Sequence, residues 1–130
     1  MSEPISYILR IQRDELERQL FAQRIFYVNI SRAWSRDTIV LFVKKDTFIG
    51  SGVIEKFVTM DALEEPEKRL CTKNNWYGKI LFGRLTRFIP PILVMVTPAA
   101  EQNALALHGA SISHDISLRI GRMAAGRIVS

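Results

Sequence analysis

Two stretches of the 130-residue chain gather side chains suited to gripping a planar, anionic ligand. The first is Ser31-Arg32-Ala33-Trp34-Ser35-Arg36, an indole flanked by two guanidinium groups. An indole stacks on a nucleobase, and each arginine forks onto a phosphate. The alternative is that Trp34 packs as a lid on the core while Arg32 and Arg36 face water. The second stretch is Lys73-Asn74-Asn75-Trp76-Tyr77-Gly78-Lys79. A cation, two amides and two aromatic rings can stack on a base and bond its polar edge. The alternative here is a helix end whose aromatic residues anchor it to a sheet. Lys44-Lys45, Arg84 and Arg87 extend a basic surface in the binding reading. Taken alone, Lys44-Lys45 is a charged hairpin end protected from edge pairing.

Catalytic patterns are weaker. Gly50-Ser51-Gly52 lacks the third glycine of a dinucleotide fingerprint, and no helix follows it, so it reads as a bend in a strand. His108 and His114 lie far from Cys71 and show no metal-ligand spacing. Cys71 would need a neighbouring base to act as a nucleophile, and none is evident, so it reads as a buried structural thiol. Glu64, Glu65 and Glu67 read as a solvated helix face. No catalytic residue, metal or cofactor is assigned.

The elements that must position these groups follow from hydrophobic period. Residues 6–11 alternate as a first strand, and 13–23 change to helical spacing with Leu16 and Leu20 on one face and acidic residues at the start. Residues 24–30 return to strand, apolar on both sides as in a central strand. Residues 31–37 form a loop, 38–45 a strong strand, and Asp46-Thr47 a tight turn into an antiparallel partner, residues 48–58. Gly50 and Gly52 inside that partner imply a bulge, a bend or a close backbone approach, as a sheet coiling toward a barrel requires. Residues 61–67 are helix-prone and broken by Pro66, and 68–75 are basic and polar. A strand over 79–88 ends at Pro90-Pro91, and 92–96 forms the last clear strand. Residues 99–107 suit a short helix, and Ser113 N-caps another through Ile116, Ile120 and Met123, which carries Arg119, Arg122 and Arg127 outward or along one edge.

The bulk numbers bound the class. Hydrophobic residues make up 48% and charged residues 24%, the balance of a globular domain. One cysteine permits no internal disulfide, the N-terminus carries no signal-like pattern, and the longest strongly apolar run, 89–96, is too short to span a bilayer. A cytoplasmic, non-membrane protein is the expectation. The net charge of +5 is uneven. Residues 1–67 hold nine basic and eleven acidic side chains (−2), and residues 68–130 hold nine basic and two acidic (+7). Such asymmetry points to an anionic partner.

The run Tyr7-Ile8-Leu9-Arg10, an amphipathic helix, Arg24-Ile25-Phe26-Tyr27-Val28, Thr38 to Val43, and then Phe48-Ile49-Gly50-Ser51-Gly52-Val53-Ile54-Glu55-Lys56-Phe57 resembles the PUA-like superfamily, which includes the PUA, ASCH, EVE and YTH domains. Nearest in character is a small archaeal family of PUA-like proteins. The likeness covers residues 5–97 in pattern, with Phe48–Phe57 its specific part. It implies a curved or closed mixed β-barrel with helices over its openings, and RNA or DNA binding, sometimes of a modified base in an aromatic pocket. The Gly-x-Lys-x-x-Glu-x-Arg signature of ASCH domains is absent, with Ala22-Gln23-Arg24-Ile25 in its place, which weakens the case for amidohydrolase activity.

The expectations are therefore these. The chain is one α+β domain over residues 1–130, a small, strongly curved or closed mixed β-barrel with two to four helices, its core at about 5–97 and a helical extension at about 98–130. Its partner is nucleic acid, RNA before DNA, held in an aromatic and basic cleft by Arg32, Trp34, Arg36, Lys44, Lys45, Lys73, Asn75, Trp76, Tyr77, Lys79, Arg84 and Arg87. Two alternatives stand beside it. One is a small nucleoside-type hydrolase at the barrel mouth with Lys44, Lys73 or Glu55 as base. The other is a non-catalytic homodimer built on the apolar strands or the C-terminal helix.

Overall fold

The computed structural model describes residues 5–97, 99, 109–124 and 126–129. His108 and all but the first residue of the helix expected over 99–107 lie outside them. The elements run β1 (Ile5–Arg10), α1 (Asp14–Gln23), β2 (Ile25–Val28), β3 (Ile39–Lys44), β4 (Thr47–Thr59), α2 (Glu65–Asn74), β5 (Gly78–Leu93), β6 (Ser111–Ser113), α3 (His114–Met123) and β7 (Gly126–Val129). One-turn 3-10 helices follow β4 (Met60–Ala62) and β5 (Val94–Val96). The strands form one sheet in the order β2-β5-β4-β3-β1-β6, and β7 pairs with β5. β1 and β3 pair in parallel and every other ladder is antiparallel.

Period-two patterning divides the strands between two cores. Tyr7 and Leu9 of β1, with Val40 and Phe42 of β3, face one core, while Ile8, Leu41 and Val43 face the other. The first core also takes Phe26 and Val28 from β2, Ile49 and Ile54 from β4, and Ile80, Phe82 and Leu85 from β5. Side chains from five strands meet in that one cluster because the sheet curls strongly about it, and Leu20 and Phe21 of α1 pack into it. The second core lies under α3, whose Ile120 is fully buried with Phe48 and Phe88. Among the described residues no ladder joins β2 to β1 or β6, so the curled sheet is not closed by hydrogen bonds.

The curl has local causes. A Cβ on Gly50 would stand 2.4 Å from the Thr86 carbonyl and 3.0 Å from the Phe21 ring, so glycine permits the close crossing of β4, β5 and α1. A Cβ on Gly52 would stand 2.7 Å from Phe82 and 2.8 Å from Leu85. The β4–β5 register also slips at several points along the pair.

Two prolines behave differently from the sequence expectation. Pro66 does not break a helix. It occupies the first turn of α2, where a missing N–H costs nothing. Pro90 and Pro91 do not separate two strands. They sit within β5 where Gly50 pairs with Arg87 but Phe48 pairs with Ile92, so extra residues bulge out of the ladder. Residues 94–96, expected as strand, form the second 3-10 turn instead. In the C-terminal segment the expected helix is α3, capped by the Ser113 hydroxyl, which accepts from the Ile116 N–H at 3.2 Å. That segment is not purely helical, because β6 and β7 add to the sheet on either side of α3. Among the described residues no helix is long and apolar enough to cross a membrane.

Candidate functional site

Two clefts form where α2 ends. Asn75 closes the helix in the left-handed conformation, φ 58°, which asparagine tolerates well. The reversal sends the Trp76 N–H to the Cys71 carbonyl at 2.8 Å and the Tyr77 N–H to the Val28 carbonyl at 2.6 Å. The chain is thereby hooked onto the end of β2, and β5 begins beside it. Trp76 lies flat on Tyr27, with ring centroids 4.6 Å apart and planes 10° from parallel. Tyr27 is itself fixed, its hydroxyl donating to Glu67 Oε2 at 2.8 Å, and Lys79 Nζ donates to the same oxygen at 2.7 Å. The hydrogen bond from Lys79 holds the Glu67 carboxyl below the ordinary glutamate range. Burial, then the facing carboxylate, pushes the Tyr27 phenol up, so it stays a protonated donor. Burial also pushes the adjacent Cys71 thiol up, which keeps it a weak nucleophile.

Two clefts flank Trp76 and share both it and Asn29. The smaller, about 310 Å³, is lined on the β1–α1 side by Arg10, Gln12 and Arg13, with Tyr27 and Asn74 opposite. Arg10 donates to the Lys45 carbonyl at 2.9 Å, so the exposed Lys45 lies at the edge of this region, and Arg13 pairs with Glu15 at 3.6 Å on the surface. The larger cleft, about 590 Å³, runs between the Met60–Ala62 turn and α2, with Met60, Asp61, Cys71, Asn75 and Tyr77 among its walls. Tyr77 is 45% exposed and stacks on Phe57 at 5.7 Å.

The residues expected from the sequence divide among several places. Asn75, Trp76 and Tyr77 do come together, at the larger cleft. Trp34 does not join them. It is 5% exposed, packs edge-on against Tyr7 at 5.0 Å, and its indole N–H is used by the Ile30 carbonyl at 3.1 Å, so it is a core residue and no base platform. Arg32 ties the loop to the C-terminal segment by donating to the Gly109 carbonyl at 3.0 Å. Lys44 is held by Asp14 at 2.5 Å and Glu17 at 2.6 Å. Arg87 lies 4.0 Å above the Phe21 ring and 3.5 Å from Glu17, so the acidic face of α1 offsets both cations. Lys79 is spent on Glu67. Lys73 is exposed on the last turn of α2. Arg36 and Arg84 line a separate shallow hollow of about 250 Å³ together with Glu55. The single basic cleft joining both indoles is therefore not formed. Of the three alternative bases for a hydrolase, Lys44 is in the ion pairs with Asp14 and Glu17, Lys73 is exposed on α2, and Glu55 lines the Arg36–Arg84 hollow.

The sequence reading missed Arg10, Gln12, Arg13, Asn29 and Asp61. The available signal was position. Each is a polar residue placed just where an apolar strand ends, β1 for Arg10, Gln12 and Arg13, β2 for Asn29, and β4 for Asp61.

No protein-family model matches the chain, and no curated protein matches it. Among solved structures, it is similar to the ASCH protein of Zymomonas mobilis, with a TM-score of 0.58 and 9% identity over 92% of this chain and 96% of that one. At that identity the likeness is one of fold. The mixed, curled sheet with helices packed against it is thus similar in fold to that ASCH protein.

Proposed function

We propose that the chain binds single-stranded nucleic acid, RNA in preference to DNA, at the two clefts around Trp76. The observation that carries this reading is the indole held rigid by the Tyr27 stack between an arginine-lined cleft and a larger, more apolar one. A platform fixed beforehand loses little side-chain freedom when a base stacks on it. One ring face is taken by Tyr27, and the indole lines both clefts, where a ligand can reach it. Arg10 and Arg13, with Lys45 at the edge, supply the backbone-tracking charge. Gln12, Asn29 and Asn74 supply amides suited to a 2′-hydroxyl, the group by which proteins tell RNA from DNA. A duplex keeps its bases stacked and out of such clefts, so the ligand is a single strand, a loop or an end. The volume of the larger cleft leaves room for a modified base as well as a plain one.

Fluorescence anisotropy with labelled single-stranded RNA, single-stranded DNA and duplex RNA of one sequence tests the reading. The expected order places single-stranded RNA first, with duplex weakest. A protein that binds none of them at low salt, or the duplex best, overturns it.

A further inference from the structure

The two clefts differ in charge, and that difference assigns them different parts of the ligand. Among the described residues, the smaller one is lined by Arg10 and Arg13 and by no carboxylate. Among the described residues, the larger one is lined by no lysine or arginine, and the exposed Asp61 is part of its wall. A phosphate entering the larger cleft would face a carboxylate with no cation to offset it, whereas the smaller cleft offers it two guanidinium groups. The shared walls, Trp76 and Asn29, make the clefts neighbours, so one nucleotide can occupy both.

We infer that the larger cleft is a base-reading subsite in which Asp61 selects guanine, while the Arg10–Arg13 cleft holds the adjoining phosphate. This rests on the nucleic-acid reading given above. An ionised carboxylate accepts hydrogen bonds and cannot donate. Its two oxygens are best matched by two adjacent N–H donors. Guanine presents such a pair on its Watson–Crick edge, N1–H beside the N2 amino group. Adenine and cytosine present one amino group beside an acceptor. Uracil presents one N–H between two carbonyls, which a carboxylate repels. Trp76 and Tyr77 supply aromatic wall to the same cleft, and a purine offers more stacking area than a pyrimidine. The Asn75 amide beside it adds a donor suited to the guanine O6.

The test uses labelled heptauridine RNAs carrying G, A, C, U or inosine at the central position, titrated by anisotropy against the wild-type chain and Asp61→Asn. Inosine keeps N1–H and lacks the amino group. The expected result is central G tighter than central U by about 5- to 20-fold, inosine between them, and a preference that collapses in Asp61→Asn. The salt dependence should be the same in both proteins, because Asp61 touches no phosphate. Salt-dependent binding that is equal for all five RNAs, or a G preference that survives Asp61→Asn, overturns the base assignment and leaves the nucleic-acid reading standing. No binding of any RNA by the wild type removes both. Asp61 is exposed, so the variant should keep the wild-type melting temperature. The inosine comparison tests the same contact with the protein unchanged.

Discussion

Replacing each tryptophan by alanine should produce opposite outcomes. Both indoles sit among cationic residues in sequence, but Trp34 is 95% buried, packs on Tyr7 and spends its N–H on the Ile30 carbonyl. Removing so large a core side chain costs about 3–5 kcal/mol, which approaches the lower end of a domain's total stability of about 5–15 kcal/mol. At about 3 °C or more lost per kcal/mol, Trp34→Ala should melt at least about 10 °C below the wild type. Trp76 is half-buried and stacked on Tyr27. Trp76→Ala forfeits one aromatic pair, about 0.5–1.5 kcal/mol beyond its buried area, so it should fold with a modest fall in melting temperature. Its loss should appear in binding. Stacking of one base is worth about 1–3 kcal/mol by alanine substitution, a rise in Kd of about 5- to 150-fold. Differential scanning calorimetry reads the first quantity and RNA anisotropy the second. The reasoning is refuted if Trp34→Ala melts with the wild type, or if folded Trp76→Ala binds RNA as tightly as the parent.

Gly50→Ala should lower the melting temperature strongly, because its Cβ would meet the Thr86 backbone oxygen at 2.4 Å, while Gly83→Ala, whose nearest contact is Glu55 at 3.5 Å, should be near neutral; thermal melts of the pair check this. Ile120→Ala should cost about 2–5 kcal/mol in urea unfolding, since α3 seals the second core through a fully buried Ile120. Glu67 has a depressed folded-state pKa, so its ion pair with Lys79 stabilises the fold above the ordinary glutamate value of 4.5 and is lost as pH falls through the lower folded value. Glu67→Gln should flatten that acid-side loss in urea titrations run across this range, and an unchanged acid limb would show that Glu67 is not its source.

Much of this architecture is legible in local pattern. The β3–β4 hairpin, the 31–37 loop, α1 and the Ser113 cap follow from period, turn chemistry and capping, all of which act over a few residues. Gly50 and Gly52 announce a close approach without naming Thr86, Phe21 or Phe82, which topology alone brings there. The prolines misled because the same residue that ends a helix from inside can begin one, as Pro66 does, or sit in a bulge, as Pro90 and Pro91 do. The site was half legible. The 73–79 stretch is contiguous, so Asn75, Trp76 and Tyr77 were found together. Trp34 and Trp76 have similar neighbours in sequence, and it is tertiary packing, including the contact with Tyr7 27 residues earlier, that makes Trp34 a core residue. Lys44, Lys79 and Arg87 look free in sequence because their carboxylates lie 12 to 70 residues away. Arg10 and Asn29 meet at one cleft although their strands are not neighbours in the sheet, an effect of its curl.

The salt dependence of RNA affinity tests the central claim most directly. Anisotropy titrations of a single-stranded RNA at several salt concentrations should give a linear fall of log affinity with log salt, about 0.7 in slope for each phosphate held. The Arg10→Ala, Arg13→Ala double variant should bind more weakly and lose about 1.4 of that slope. Affinity indifferent to salt, or a slope untouched by the double variant, would contradict a nucleic-acid backbone lying in the cleft beside Trp76.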